Sequence, residues 1–160
     1  MVESTNQKPI VTITGITGYI GSHVCLLFLQ DGSYHVRGTV RDKSKPEKMD
    51  PIKKSFGDLY DQLEIVEADL MNEESLANAI AGSTFVVHVA SPYPAKKPKD
   101  ENEVIRPAVD GTMAILRACR TNKVKRVVIT SSCAAIMDVA DEDRPDGAYD
   151  ESLWSNPDRK

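Results

Sequence analysis

No run of apolar residues in this sequence exceeds six, from Val24 to Leu29, whereas a helix needs about 20 to cross a bilayer, so no transmembrane segment is expected. Charge of one sign is also missing. Twenty Lys and Arg stand against 24 Asp and Glu, a formal net charge of −4. That balance lacks the clustered basic excess needed to neutralise phosphates, so no nucleic-acid partner is expected. Cysteine is scarce: Cys25, Cys119 and Cys133 are unspaced and cannot close a disulfide framework. The first nine residues, MVESTNQKP, are polar and contain no apolar stretch of the kind a secretory signal requires, which points to a cytoplasmic protein. His23, His35 and His88 do not cluster at ligand spacing, so each is expected to be packed or at the surface and no metal site is implied. Repeats and low-complexity segments are absent.

What is present is a regular alternation. At 160 residues and 41% hydrophobic, the chain has the size of one domain, able to bury about 70% of the surface its unfolded form exposes. Ile10 to Thr14 is a short β-branched run bounded by Pro9 and Gly15, as for a buried strand. Tyr19 to Gln30 has helical apolar spacing and stops at Asp31-Gly32. A second strand is expected at His35 to Val40, a third at Leu63 to Glu67, a fourth at Phe85 to Ala90 and a fifth at Val127 to Thr130. Between them lie a lysine-rich stretch from Lys43 to Asp61 interrupted by Pro46, Pro51 and Gly57, a short helix from Glu73 to Ala81, and a long one from Asn102 to Thr121. On the long helix Ile105, Ala108, Val109, Thr112, Leu116 and Cys119 fall on one face. Strands separated by helices pair in parallel through right-handed crossovers, which requires helices on both faces of the sheet and strands that are apolar throughout. The fold class expected is therefore α/β, a Rossmann-type doubly wound parallel sheet. After Met137 the chain is acidic, proline-bearing and aperiodic, so residues 138–160 are expected to form an irregular tail.

The first βα turn holds three glycines, Gly15, Gly18 and Gly21, in the pattern GxxGxxG. A dinucleotide pyrophosphate meets a helix at this place. The first glycine allows the tight turn, the second lets phosphate approach the backbone, the third lets helix and strand pack closely, and the unpaired N–H groups and helix dipole attract the anion. Glycines also end strands for structural reasons, but a strand before and a helix after favour nucleotide binding. At the end of the second strand an acidic side chain would meet the ribose 2′-OH of NAD, and an arginine would accommodate a 2′-phosphate. The sequence offers Val40-Arg41-Asp42.

Further motifs follow in order: Ala68-Asp69-Leu70, His88-Val-Ala-Ser-Pro92, Glu103-Val-Ile-Arg-Pro107 leading to Val109-Asp-Gly-Thr112, Val128-Ile-Thr-Ser-Ser132, and Tyr149-Asp-Glu-Ser-Leu-Trp154. Together with Thr14 and the glycine turn, they resemble the extended short-chain dehydrogenases/reductases, specifically the dihydroflavonol reductase and cinnamoyl-CoA reductase subgroup, over nearly the whole chain from about Val11. The resemblance implies a carbonyl reductase using NADP, with NAD the lesser candidate. Gly15, Thr17, Gly18, Tyr19, Ile20, Gly21, Arg41, Lys48, Asp69, Leu70, Val89, Ala90 and Ser91 are then the expected cofactor contacts. Arg41 and Lys48 would hold the 2′-phosphate, unless they belong only to a solvated lysine-rich surface. Asp69 would meet the adenine amino group, or else cap a helix.

Ser132 matches the serine that polarises the carbonyl, with Ser131 a lesser candidate. The tyrosine that protonates the alkoxide and the lysine four residues later come after the serine strand in that family, and no Tyr-x-x-x-Lys follows Ser132 here. The string Tyr93 to Lys97 lies ahead of the serine, in a proline-rich loop, and reads as coincidence. The chain is accordingly expected to be an incomplete NAD(P)-binding domain, truncated after its fifth strand and without a substrate domain, with Arg126 to Ser131 as an open edge. Met137 stands where dihydroflavonol reductases place an asparagine, which argues against a flavonoid and leaves an apolar aldehyde, ketone or acyl thioester as the small-molecule substrate. Cys133 is expected to be a small buried filler. Two functions remain: an NADP-dependent oxidoreductase, or a non-catalytic short form that binds nucleotide or a partner through the open edge. Oligomeric state is left open.

Overall fold

The computed structural model describes residues 7–93, 98–137, 149–150 and 153–155. In chain order it contains β1 (Ile10–Ile13), α1 (Tyr19–Asp31), β2 (His35–Val40), α2 (Pro46–Phe56), β3 (Leu63–Glu67), α3 (Glu73–Ile80), β4 (Phe85–His88), α4 (Asn102–Thr121) and β5 (Arg126–Ile129), with 3₁₀ turns at Gly57–Gln62 and Cys133–Ala135. The five strands form one parallel sheet in the order β3-β2-β1-β4-β5. The chain leaves β1 toward β2 and returns to its other side as β4. That reversal opens a crevice at the carboxyl ends of β1 and β4, the place where open α/β sheets bind ligands. By internal contacts the chain divides into Met1–Ile129, which carries the sheet, and Thr130–Lys160.

Two cores lie on opposite faces of the sheet. One gathers Val11 and Ile13 of β1, Cys25 and Leu29 of α1, Val36 and Val40 of β2, and Met49, Ile52 and Phe56 of α2. The other gathers Leu76, Ala79 and Ile80 of α3, Val86 of β4, and Ala114, Ile115, Ala118 and Cys119 of α4. Both faces are covered, as expected, but the strands are not apolar throughout. Thr12 of β1 and Thr14, the residue after it, alternate with Val11 and Ile13 and are buried on the α3/α4 face beside Ser83 and His88. They are tolerated there because each hydroxyl is hydrogen-bonded, Thr12 to Ser83 at 2.7 Å and Thr14 to His88 at 2.8 Å.

Helix ends follow the turn chemistry. Gly32 closes α1 in the left-handed conformation, φ 70°, as the Asp31-Gly32 stop implies. Pro46 does not interrupt the lysine-rich stretch but opens α2 at its first turn, where a missing N–H costs nothing. On α4 the packing face is rotated from the expected stripe: Gly111, Ala114, Ile115, Ala118 and Cys119 are buried, whereas Ile105 and Val109 are about half exposed at 49% and 54%. Small residues let α4 approach its neighbours closely. Leu70 would press on any Cβ at Gly111, at 3.0 Å. Among the described residues no helix is long and apolar enough to cross a membrane.

Candidate functional site

The glycine turn lies at the carboxyl end of β1 and is fastened on both sides. Toward β2, the Gly15 N–H donates to Thr39 Oγ1 and the Ile16 N–H to the Thr39 carbonyl, each at 3.2 Å. Ile16 is fully buried over Gly38, where a Cβ would lie 2.5 Å from the Ile16 Cδ1, so β2 carries a glycine to receive it. Toward β4, the Val89 and Ala90 N–H groups both donate to Thr14 Oγ1, at 3.0 and 2.9 Å. The turn is thus held between the ends of three adjacent strands.

The three glycines have different causes. Gly15 sits at φ +71°, and a Cβ there would come within 3.0 Å of Ala90 Cα. A Cβ on Gly21 would be driven into the Gly15 carbonyl. Both are therefore imposed by the fold itself. Gly18 is not. Its backbone is ordinary extended chain, φ −89° and ψ 164°, and the nearest atom a Cβ would meet is the Gly15 carbonyl oxygen at 3.4 Å. It is also the N-cap of α1, no side chain caps that helix, and its first turn carries no acidic residue. By contrast α3 is capped by Asn72, which accepts the Ser75 N–H at 3.0 Å.

Thr17, Gly18, Tyr19 and Lys48 line one open cleft of about 390 Å³, together with Glu47 and Ile52. Thr17, Tyr19 and Ile20 are exposed, Tyr19 at 82%. Arg41, just after β2, is exposed, and its guanidinium has no ion pair or hydrogen bond among the described residues. Its acidic neighbour is engaged. Asp42 accepts from the Ser44 hydroxyl at 2.6 Å and the Ser44 N–H at 2.9 Å, with Lys45 at 3.8 Å. These bonds to Ser44, and then Lys45, hold the Asp42 carboxyl below its ordinary range.

Asp69 and Leu70 follow β3. Asp69 Oδ1 accepts the Met71 N–H at 2.8 Å, a local turn. The helix-cap alternative for Asp69 fails, because Asn72, three residues on, already satisfies the α3 end. Leu70 is half-buried against Gly111. Ser91 is exposed, and Val89 and Ala90 are half-buried at the end of β4.

Ser132 belongs to the second unit, three residues past β5 in the chain. Its Oγ accepts the Ala134 N–H at 3.2 Å, and its own O–H is committed to no described partner. Cys133 is exposed, not a buried filler, and begins a 3₁₀ helix that buries none of its residues. Tyr93 is 96% exposed, and Lys97, like most of residues 138–160, lies outside the described residues. Sequence reasoning missed Gly38, Thr39, Thr112 and the use made of His88. Thr14 was the available signal, since a hydroxyl buried beside the turn needs partners.

A family model described as the NAD dependent epimerase/dehydratase family matches residues 11–157. Dihydroflavonol 4-reductase of Hordeum vulgare is 44% identical over 154 residues, covering 96% of this chain and 42% of that protein. The cinnamoyl-CoA reductase CAD2 of Medicago truncatula is 35% identical, covering 98% of this chain and 48% of that protein. The chain thus spans under half the length of these curated relatives. Among solved structures, yeast methylglyoxal/isovaleraldehyde reductase Gre2 complexed with NADPH superimposes with a TM-score of 0.76 at 28% identity, over 92% of this chain and 44% of that one.

Proposed function

The chain belongs to the NAD dependent epimerase/dehydratase family, and from that premise we propose that it is the cofactor-holding part of an NADP-dependent carbonyl reductase. Gly15, Gly18 and Gly21, with Thr17, Tyr19 and Ile20, would receive the pyrophosphate at the α1 N-terminus. Arg41 and Lys48 would hold the 2′-phosphate, Asp69 and Leu70 the adenine side, and Val89, Ala90 and Ser91 the wall after β4. NADPH bound there supplies a hydride for an aldehyde, ketone or acyl thioester. The Ser132 hydroxyl, whose proton meets no partner among the described residues, would polarise the carbonyl oxygen.

What carries this reading is Gly18. Neither backbone conformation nor packing asks for a glycine at this position, yet it caps a helix end that no side chain satisfies. A ligand that must touch the backbone supplies the missing reason, and an anion there would satisfy free N–H groups. The engagement of Asp42 by Ser44 and Lys45 favours NADP over NAD, since the acidic group that would seek a ribose hydroxyl is already occupied while Arg41 has no partner among the described residues. The names of the relatives, a dihydroflavonol reductase and a cinnamoyl-CoA reductase, agree with carbonyl reduction.

No Tyr-x-x-x-Lys follows Ser132 within the 160 residues. These residues would therefore hold cofactor without that proton donor, and turnover by them alone is expected to be lower by a factor of about 10² to 10⁴. Isothermal titration of NADPH into the 160-residue chain tests the reading. Wild type should bind, and Gly18→Val should lose binding while melting within a few degrees of wild type, because an added Cβ meets only the Gly15 carbonyl oxygen at an ordinary 3.4 Å. Undiminished NADPH binding by Gly18→Val would overturn it. The second reading, a short form that binds a partner, draws on the β5 edge, where Val128 and Ile129 are 51% and 42% exposed. The reading frame beyond Lys160 separates the two: a continuation that holds Tyr-x-x-x-Lys favours the reductase, and a stop codon favours the short form.

A further inference from the structure

His88 is 3% exposed and lies at the last position of β4, against β1 and α4. Its neighbour Thr14 determines its state by a count of protons. A threonine hydroxyl has one proton to donate and two lone pairs to accept with. Both lone pairs of Thr14 Oγ1 are taken, by the Val89 N–H at 3.0 Å and the Ala90 N–H at 2.9 Å. The remaining contact, 2.8 Å to His88 Nδ1, must therefore be made with the threonine proton. Nδ1 is the acceptor and carries no hydrogen, so the neutral ring is protonated on Nε2, which points to Thr112 Oγ1 of α4 at 3.4 Å. Burial lowers the His88 pKa from its ordinary value and keeps the ring neutral.

The bonds donate in one direction, from the backbone N–H groups after β4 to the Thr14 hydroxyl, from that hydroxyl to His88, and from His88 to α4. Ala90 in turn borders the glycine turn, where it limits the space over Gly15 to 3.0 Å. If Thr14 lost its acceptor, its proton would have to point elsewhere, and the hydroxyl could no longer face two N–H donors with both lone pairs. Val89 and Ala90 would then be left short of a partner at the crevice.

We propose that His88 is a positioning residue of the dinucleotide site: as the Nε2–H tautomer it aims the Thr14 hydroxyl, and so fixes the Val89–Ala90 wall that faces the glycine turn. The proposal rests on the dinucleotide reading given above. It assigns a role in affinity to a side chain that touches no ligand.

The test uses the whole 160-residue chain. In ¹⁵N-histidine spectra at neutral pH, His88 should show Nδ1 as the unprotonated ring nitrogen and Nε2 as the protonated one, with or without NADPH. His88→Asn can still accept from Thr14 through Oδ1, which occupies the place of Nδ1, so it should bind NADPH within a few-fold of wild type. His88→Leu offers no acceptor and should bind about tenfold more weakly, with faster amide exchange at Val89 and Ala90. A hydrogen on Nδ1 in wild type overturns the proposal without need of any variant, even where His88→Leu does not fold. Equal affinity of the Asn and Leu variants overturns the positioning role while leaving the dinucleotide site standing. A wild-type chain that takes up no NADPH overturns the dinucleotide reading and this role with it.

Discussion

Replacing Arg41 with alanine isolates the choice between the two nicotinamide cofactors. The guanidinium is exposed and has no partner among the described residues, so its loss should leave the melting temperature unchanged. Asp42 does not fill the gap, because its carboxylate accepts from Ser44 at 2.6 and 2.9 Å. A 2′-phosphate held by Arg41 receives charge-assisted hydrogen bonds, each worth about 1.5 to 3 kcal/mol, which converts to roughly ten- to a hundredfold in Kd. NAD has no such phosphate, and its affinity should change by less than about twofold. Because the site is open to water, the loss for NADP should shrink as salt rises past about 0.1 M, where the Debye length is about 10 Å. Titration calorimetry of both nucleotides against both proteins, at two ionic strengths, measures all of this. Lys48→Ala, on the wall of the cleft, should weaken NADP less, since an ammonium does not make the bidentate contact. Equal losses of NAD and NADP in Arg41→Ala would show that Arg41 is an ordinary surface charge, and the NADP assignment would fall.

Other expectations concern the scaffold. Arg37 donates to the Ala79 and Ala81 carbonyls at 3.0 and 2.7 Å, at the C-terminal end of α3, and its Nε lies 2.9 Å from Glu64 Oε1; Arg37→Ala should cost about 2 to 3 kcal/mol in urea denaturation, and an unchanged midpoint would contradict the contacts. For Glu64, burial acts to raise the carboxyl, but the Arg37 guanidinium beside it and the bond to His35 outweigh burial and hold the pKa below the ordinary 4.5. Its share of stability is therefore present above that value and lost as pH falls through the depressed one, so Glu64→Gln should flatten the acid limb of a stability–pH curve. Burial pushes the Cys25 thiol up to about 12 and the Cys119 thiol to about 11, while Cys133 is exposed; a thiol reagent at pH 8 should modify Cys133 quickly and the other two only on unfolding. With Val128 and Ile129 about half exposed on an edge strand, size-exclusion chromatography at rising concentration should show self-association, and a concentration-independent monomer peak would refute it.

Most of the fold could be read from residue spacing, and the exceptions share a cause. β2 and β3 fall on the expected residues because β-branched runs bounded by turn formers leave little choice. The buried face of α4 departs from its apolar stripe because close packing selects Gly111, Ala114 and Ala118, residues notable for what they lack. The glycine turn was legible for a similar reason in reverse: three glycines in one turn have no propensity argument in their favour and demand a geometric one. His88 could not be placed beforehand. Its role depends on Thr14 and Thr112, which lie 74 and 24 residues away in sequence, and only the strand order brings the three together.

The two fastenings of the glycine turn differ in how far they reach along the chain. The Gly15–Thr39 bond spans 24 residues, while the bonds from Val89 and Ala90 to Thr14 span 75 and 76. During folding, the β1-α1-β2 unit can close the short loop early, but the longer loops close only when β4 has inserted beside β1, and non-local pairings of this kind are slow to form. A nascent or partly folded chain would thus hold a turn secured on one side only. Competence to take up a nucleotide would arrive last, as a single event with completion of the sheet's centre. In a refolding experiment, the appearance of bound NADPH would then act as a clock for β4 docking, and added nucleotide would slow unfolding of the whole sheet rather than of the turn alone.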